Sequence, residues 1–170
     1  FFPNDKVIIA DAHQFLLEHF KEFDFIWSSP PCPSHSMIRK NSAVARGQNE
    51  PIYPSMKLYE KILFLQGYFK GKWVVENVIA WYNPLIPPFE VGSHYFWSNF
   101  LLVDNKYTLG KDREHDAKID VLGERKGFDL TNIDTNGIEK KMILRNCVEP
   151  ELGLHIFNMA FNDRQKSIKD

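Results

Sequence analysis

Phe25-Ile26-Trp27-Ser28-Ser29-Pro30-Pro31-Cys32-Pro33-Ser34-His35-Ser36 opens as an apolar run and breaks off in two prolines, a cysteine and a third proline. Phe23 to Trp27 is aromatic and β-branched around Asp24, the pattern of a buried strand. Proline has no N–H and restricts the residue before it, so ladder pairing is predicted to stop at about Ser29. Cys32 then falls just past the carboxyl end of a strand, where open α/β sheets bind their ligands. The prolines leave the loop few conformations, which suits a sulfur that must be held against one reacting carbon. A solitary cysteine is more often a small buried hydrophobe, but prolines and small polar residues are a poor composition for a core.

On either side of this stretch the pattern is that of alternating strands and helices. Lys6 to Ala10 (KVIIA) reads as a short buried strand ending at Asp11, and Ala12, Phe15, Leu16, His19, Phe20 and Phe23 follow at helical spacing. Asp11 at that junction suits either a helix cap or a carboxylate that accepts hydrogen bonds from a bound nucleoside. Downstream, Met37 to Pro54 is polar and aperiodic and holds Arg39, Lys40, Arg46 and Gly47. A loop of that length in a compact domain is usually functional; its other reading is a solvated charged loop. From Ser55 to Phe69, the residues Leu58, Tyr59, Ile62, Leu63, Gln66 and Phe69 mark one face of an amphipathic helix, with Ser55 as its N-cap. Trp73-Val74-Val75 is a buried strand that delivers Glu76 just past its end, with Asn77 next. A carboxylate in that place is costly to bury unless it is paired or protonated.

The second half is less regular. Trp81 to Val91, with Pro84, Pro87 and Pro88, reads as a connector, and His94 to Val103 as a long aromatic strand bent near Ser98-Asn99. Asp104 to Lys141 is polar, with Lys106, Lys111, Arg113, Lys118, Arg125, Lys126, Lys140 and Lys141 dispersed among acids. Arg145-Asn146-Cys147-Val148-Glu149-Pro150 leads into a helix through Leu152, Ile156, Phe157, Ala160 and Phe161, with Pro150 near its first turn. Asn162 to Asp170 is polar and reads as a frayed end.

Composition narrows the class. At 170 residues and 14% aromatic, the chain is one domain by length and able to bury a real core. No apolar run approaches a membrane span, and no signal peptide is visible. Cys32 and Cys147 give no disulfide framework, which fits a reducing cytoplasm, and no His/Cys spacing reads as a metal site. The net charge of −1 means that any nucleic-acid surface must be local. The first residue, Phe1, reads as the start of a piece of a longer protein.

Pro30-Pro31-Cys32 after an aromatic strand, with Glu76-Asn77-Val78 at a second strand downstream, resembles the DNA cytosine-5 methyltransferases, most closely their compact phage- and prophage-type members. The likeness runs from near the first residue to about Phe161, and Asn146-x-Val148-x-Pro150 before a helix belongs to it. It implies an α/β, partial Rossmann-like S-adenosylmethionine-dependent methyltransferase fold whose first βαβ portion is absent. It implies catalytic-core residues 1–103, a short target-recognition-like insert over 104–141, and a return to the core over 142–170. Cys32 would be the nucleophile, and Glu76, with Asn77, its acidic partner. The cofactor, S-adenosylmethionine, would be held by Asp11 and Ala12, by Ser29 and Pro31, and by Asn146 and Val148. The partner would be double-stranded DNA, met by Ser34, Arg39, Lys40 and Arg46 on a loop that closes over a flipped base. The implied setting is the cytoplasm, with a bacterial or phage-encoded gene that could belong to a phage, a restriction–modification system or a housekeeping function.

The implied chemistry needs a cysteine and an acid facing one pyrimidine. Thiolate addition to C6 breaks the aromaticity of cytosine and makes C5 able to take a methyl group, while proton sharing with N3 removes charge from the ring. Two departures stand out. The arginine that the family carries ahead of the His94 strand is missing; Gly92-Ser93 precede His94, leaving His94 or a loop arginine to substitute. No Gly-rich turn precedes Asp11, so a missing N-terminal segment or a second chain would have to supply it. Without those strands, Lys6–Ala10 and Phe23–Trp27 are expected either to leave a gap or to pair directly. The rival readings are a catalytically incomplete remnant or split subunit, a tRNA cytosine-5 methyltransferase, and a thiol enzyme pairing Cys32 with His35 or another histidine. By the main reading, the isolated 170-residue chain binds S-adenosylmethionine weakly or not at all. Titration calorimetry checks this, and measurable turnover by the chain alone would refute it.

Overall fold

The computed structural model describes residues 7–37, 40–41, 47, 52–103, 118–130, 132–135 and 137–162. It is a mixed α/β structure that divides into two units, Phe1–Asn99 and Phe100–Asp170. The second unit therefore takes in the segments 104–141 and 142–170 together with Phe100 to Val103.

In the first unit, Asp11 caps helix α1 (Ala12–His19), which runs into a 3-10 turn at Phe20–Glu22. Strand β1 (Phe25–Ser28) follows, ending one residue before the expected stop at Ser29. Helix α2 (Lys57–Tyr68) crosses over to strand β2 (Lys72–Val78), and a tight hairpin of β3 (Phe89–Val91) and β4 (His94–Ser98) completes the sheet. The spatial order is β1-β2-β4-β3. Only β1 and β2 are parallel, in the register Phe25↔Lys72 to Ser28↔Val75; β4 runs antiparallel to both β2 and β3.

The core explains the order. Ile26, Trp73, Val75 and Trp97 project from one side of the sheet onto Leu58, Tyr59, Ile62, Leu65 and Phe69, with Leu16 and Phe20 packed alongside. The buried stripe of α2 thus runs through Leu65; Leu63 is 59% exposed and Gln66 is exposed too, which corrects the face expected from sequence. Ser55 is not the N-cap either. Met56 holds that position without a side-chain bond, and the Ser55 N–H instead donates to Ser34 Oγ at 3.0 Å. On the opposite side of the sheet, Val74 and Phe96 are fully buried, and Trp27 meets Phe96 edge-on at 6.1 Å.

Three expectations change. Val7 to Ala10 is not a strand: Val7 and Ile9 are 82% and 99% exposed, and neither outcome foreseen for that stretch, direct pairing included, occurs. An apolar run becomes a strand only where a neighbouring edge takes up its N–H and C=O groups. Phe89–Val91, read as connector, pairs with β4 around Gly92, whose φ of 61° a side chain would disfavour. The His94 strand stops at Ser98, because Asn99 turns its amide into the ladder, accepting from Trp73 N at 3.1 Å and donating to the Gly71 carbonyl at 2.9 Å.

The second unit is helical: α3 (Ile119–Lys126), α4 (Lys140–Arg145) and α5 (Pro150–Ala160), the last with its proline in the first turn as expected. Leu122, Leu130 and Leu144 form its small core. Lys126, one of the dispersed basic residues, is buried, with Nζ 3.1 Å from Glu149 Oε1 and donating to the Cys147 carbonyl at 2.7 Å. It is a buried, paired cation.

Gly71 sits close against the neighbouring backbone, beside the Lys72 N–H that donates to the Asp24 carbonyl at 3.0 Å. A Cβ on Gly71 would run into that same carbonyl oxygen, whereas Gly67 on α2 faces open space. Gly71→Ala is expected to destabilise the chain by about 1–3 kcal/mol, and Gly67→Ala to stabilise it by about 0.5–1 kcal/mol. Denaturant midpoints measured side by side check both signs.

Candidate active site

Parallel pairing puts the carboxyl ends of β1 and β2 side by side. Ser28 lies opposite Val75, so the chain leaves β1 level with the residue just before Glu76. The Pro30-Pro31-Cys32 loop departs from that edge, and a buried amide ties it down: Asn77 Nδ2 donates to the Pro30 carbonyl at 3.0 Å, with Asn77 only 2% exposed. Cys32, half-buried, begins a turn in which its carbonyl accepts from the His35 and Ser36 N–H groups at 2.9 and 3.1 Å. Ser36 pairs with Ala80, while the Trp81 N–H and its indole Nε1 donate to the His35 and Ser34 carbonyls. The segment after β2 therefore clasps the Cys32 turn from outside.

Glu76 lies inside β2 and not past its end, which corrects its expected place; the ladder continues because β4 pairs opposite it, Glu76 against Phe96. Glu76 and Asn77 project to opposite sides of the sheet, as neighbours in a strand must. Glu76 is 8% exposed and faces His94, whose Nε2 is 3.6 Å from Oε1. The other ring nitrogen of His94 lies 3.2 Å from Ser93 Oγ. His94 thus meets the buried carboxylate from the neighbouring strand, in the region where the expected arginine is missing.

The other expected site residues each have a local setting. Ser34 Oγ accepts from Ser55 N, so its hydroxyl braces the loop entry. Lys40 stacks its ammonium over the Trp81 ring at 5.2 Å; Arg39 and Arg46 lie outside the described residues. Ser29 Oγ accepts from Trp27 Nε1 at 3.0 Å, and Pro31 is exposed. Asp11 spends Oδ1 on the amides of His13 and Gln14, at 3.0 and 2.9 Å, and the Gln14 bond above all holds its carboxyl below the ordinary value. Ala12 is exposed beside it. Asn146, exposed at the end of α4, and half-buried Val148 belong to the second unit. Asp11 is a helix cap here, and Val7 to Ala10 form no strand behind it. A groove between α2 and the β3–β4 hairpin is lined by Ile62, Trp73, Pro87 and Phe89, among others, and its lining includes neither Cys32 nor Glu76.

Sequence reasoning missed Tyr82 and Trp81, which support the Cys32 turn, because aromatic residues in a proline-rich connector gave no periodic signal, and it read Tyr59 only as part of the α2 face. His35 was noticed only as a partner for Cys32. No family model, no curated protein and no solved structure matches this chain.

Removing the Asn77 amide leaves the Pro30 carbonyl without its donor in a buried place. Asn77→Ala is expected to lower unfolding free energy by about 1–3 kcal/mol. Urea denaturation of the variant against the parent chain measures it.

Proposed function

We propose that this chain carries the base-activating chemistry of a cytoplasmic DNA cytosine-5 methyltransferase. The observation that supports the reading is the shared strand edge: the Cys32 loop leaves β1 beside Glu76 of its parallel neighbour β2, and Asn77 fastens the two together. In this reading the Cys32 thiolate adds to C6 of a cytosine turned out of its duplex. The sulfur–carbon bond forms, and the electron pair of the C5–C6 double bond moves to C5. Glu76 shares a proton with N3, and His94 at 3.6 Å holds the carboxyl group in place. Loss of the C5 proton and elimination of the thiolate restore the ring. The methyl group is what S-adenosylmethionine supplies when bound.

A second reading is favoured by a specific observation. Val7 to Ala10 forms no strand, Asp11 is occupied as a helix cap, and β1 is an edge strand of the sheet. That arrangement fits a subunit whose cofactor half comes from another segment or chain.

Incubation with a duplex oligonucleotide carrying 5-fluorocytosine tests the main reading, with S-adenosylmethionine in large excess to offset a weak site. Fluorine at C5 cannot leave as a proton does, so the expected product is a covalent adduct on the Cys32 peptide, abolished in Cys32→Ser. An adduct formed on tRNA and not on duplex DNA would move the substrate to RNA. An adduct that persists in Cys32→Ser would overturn the role given to this sulfur.

A further inference from the structure

Beneath the Cys32 turn, residues distant in sequence form a line of hydrogen bonds. The Leu85 N–H donates to Tyr59 Oη at 3.1 Å, and the Tyr59 hydroxyl donates to Tyr82 Oη at 3.3 Å. Tyr82 Oη lies 2.6 Å from His35 Nδ1. With Tyr59 as the donor to Tyr82, the Tyr82 proton is left for Nδ1, which is then the accepting nitrogen. A neutral imidazole then carries its one proton on Nε2.

The surroundings agree. His35 is 1% exposed, and burial pushes its pKa below the ordinary 6.5, so the ring is neutral. Burial first, then the bond from Tyr59, holds the Tyr82 hydroxyl well above its ordinary value, which keeps it a donor. Nε2 has no hydrogen-bond partner among the described residues. A buried donor left unpaired is a cost that an apolar ring would avoid. What the imidazole adds is the bond at Nδ1, and that bond anchors a residue whose own N–H donates to the Cys32 carbonyl and whose carbonyl accepts from Trp81 N.

We propose that His35 is a positioning residue for Cys32, held in a single neutral tautomer by Tyr82 and Tyr59 so that the turn presents the sulfur in one orientation. This rests on the reading of Cys32 as nucleophile toward a pyrimidine. Orientation matters for attack on one carbon of a bound base and hardly at all for a small soluble electrophile.

The test separates those two reactions in the 170-residue chain. His35→Phe and Tyr82→Phe are expected to slow Cys32-dependent release of C5-bound deuterium from a labelled cytosine duplex, with no methyl donor present, by about tenfold at saturating DNA, with half-saturation unchanged. Iodoacetamide alkylation of the Cys32 peptide, read apart from Cys147 by mass, should stay at the parental rate. His35→Asn, whose side-chain oxygen can accept near the Nδ1 position, should restore most of the release rate. Nitrogen-15 spectra of labelled histidine should show His35 protonated at Nε2 and bare at Nδ1. A protonated Nδ1, or phenylalanine variants that release label at the parental rate, would overturn the proposal. Should His35→Phe fail to fold by thermal melt, Tyr82→Phe, which deletes one oxygen, decides on the same scale. A parental chain that releases no label overturns the nucleophile reading instead, while the spectra still judge the tautomer.

Discussion

A short parallel ladder sets where the Pro-Pro-Cys loop and Glu76 stand in this chain. Phe25–Ser28 lies against Lys72–Val75, and parallel strands need a long crossover between them, here the buried helix α2. The result is that two carboxyl ends open at one edge, one releasing the Pro-Pro-Cys loop and the other continuing into Glu76 and Asn77. Gly71 lets β2 begin close against Asp24, and Asn77 fixes the far end through Pro30. A slip of one residue in this register would turn Asn77 away from the loop and Glu76 away from His94.

Much of this frame was legible in the residues. Trp73-Val74-Val75 is apolar on both faces because β2 is central in the sheet, and the α2 period follows from a helix with one buried face. Proline at position 150 marks a helix start for a backbone reason that tertiary contacts cannot override. What was not legible depended on partners. The KVIIA run has strand composition, yet Val7 to Ala10 finds no edge. Phe89–Val91 sits among prolines and becomes a strand only because β4 folds back on it. Glu76 looked like the end of a strand since polarity begins there; β4 carries the ladder on to Val78. The pairing of Lys126 with Glu149 spans a separation that no local pattern reveals.

The candidate site is half inferred from spacing and half built by contacts that spacing does not show. Cys32 and Glu76 drew attention by type and order. Their support is aromatic and amide chemistry: Trp81 clasping the turn from outside, Tyr59 and Tyr82 below it, Asn77 at its start. His94, on the neighbouring strand, stands 3.6 Å from the buried Glu76 carboxylate. The cofactor side is the opposite case, since Asp11 has a complete local role as a cap and needs no ligand to explain it.

The central claim is that this sulfur can add reversibly to a pyrimidine, and that addition alone loosens the hydrogen at C5. The most direct measurement is therefore exchange of C5-bound deuterium into water from a labelled cytosine oligonucleotide, with no methyl donor present. The account predicts release of label that depends on Cys32 and slows in Glu76→Gln. Label retained at C5 by the intact chain, at the same level as in Cys32→Ser, would contradict it.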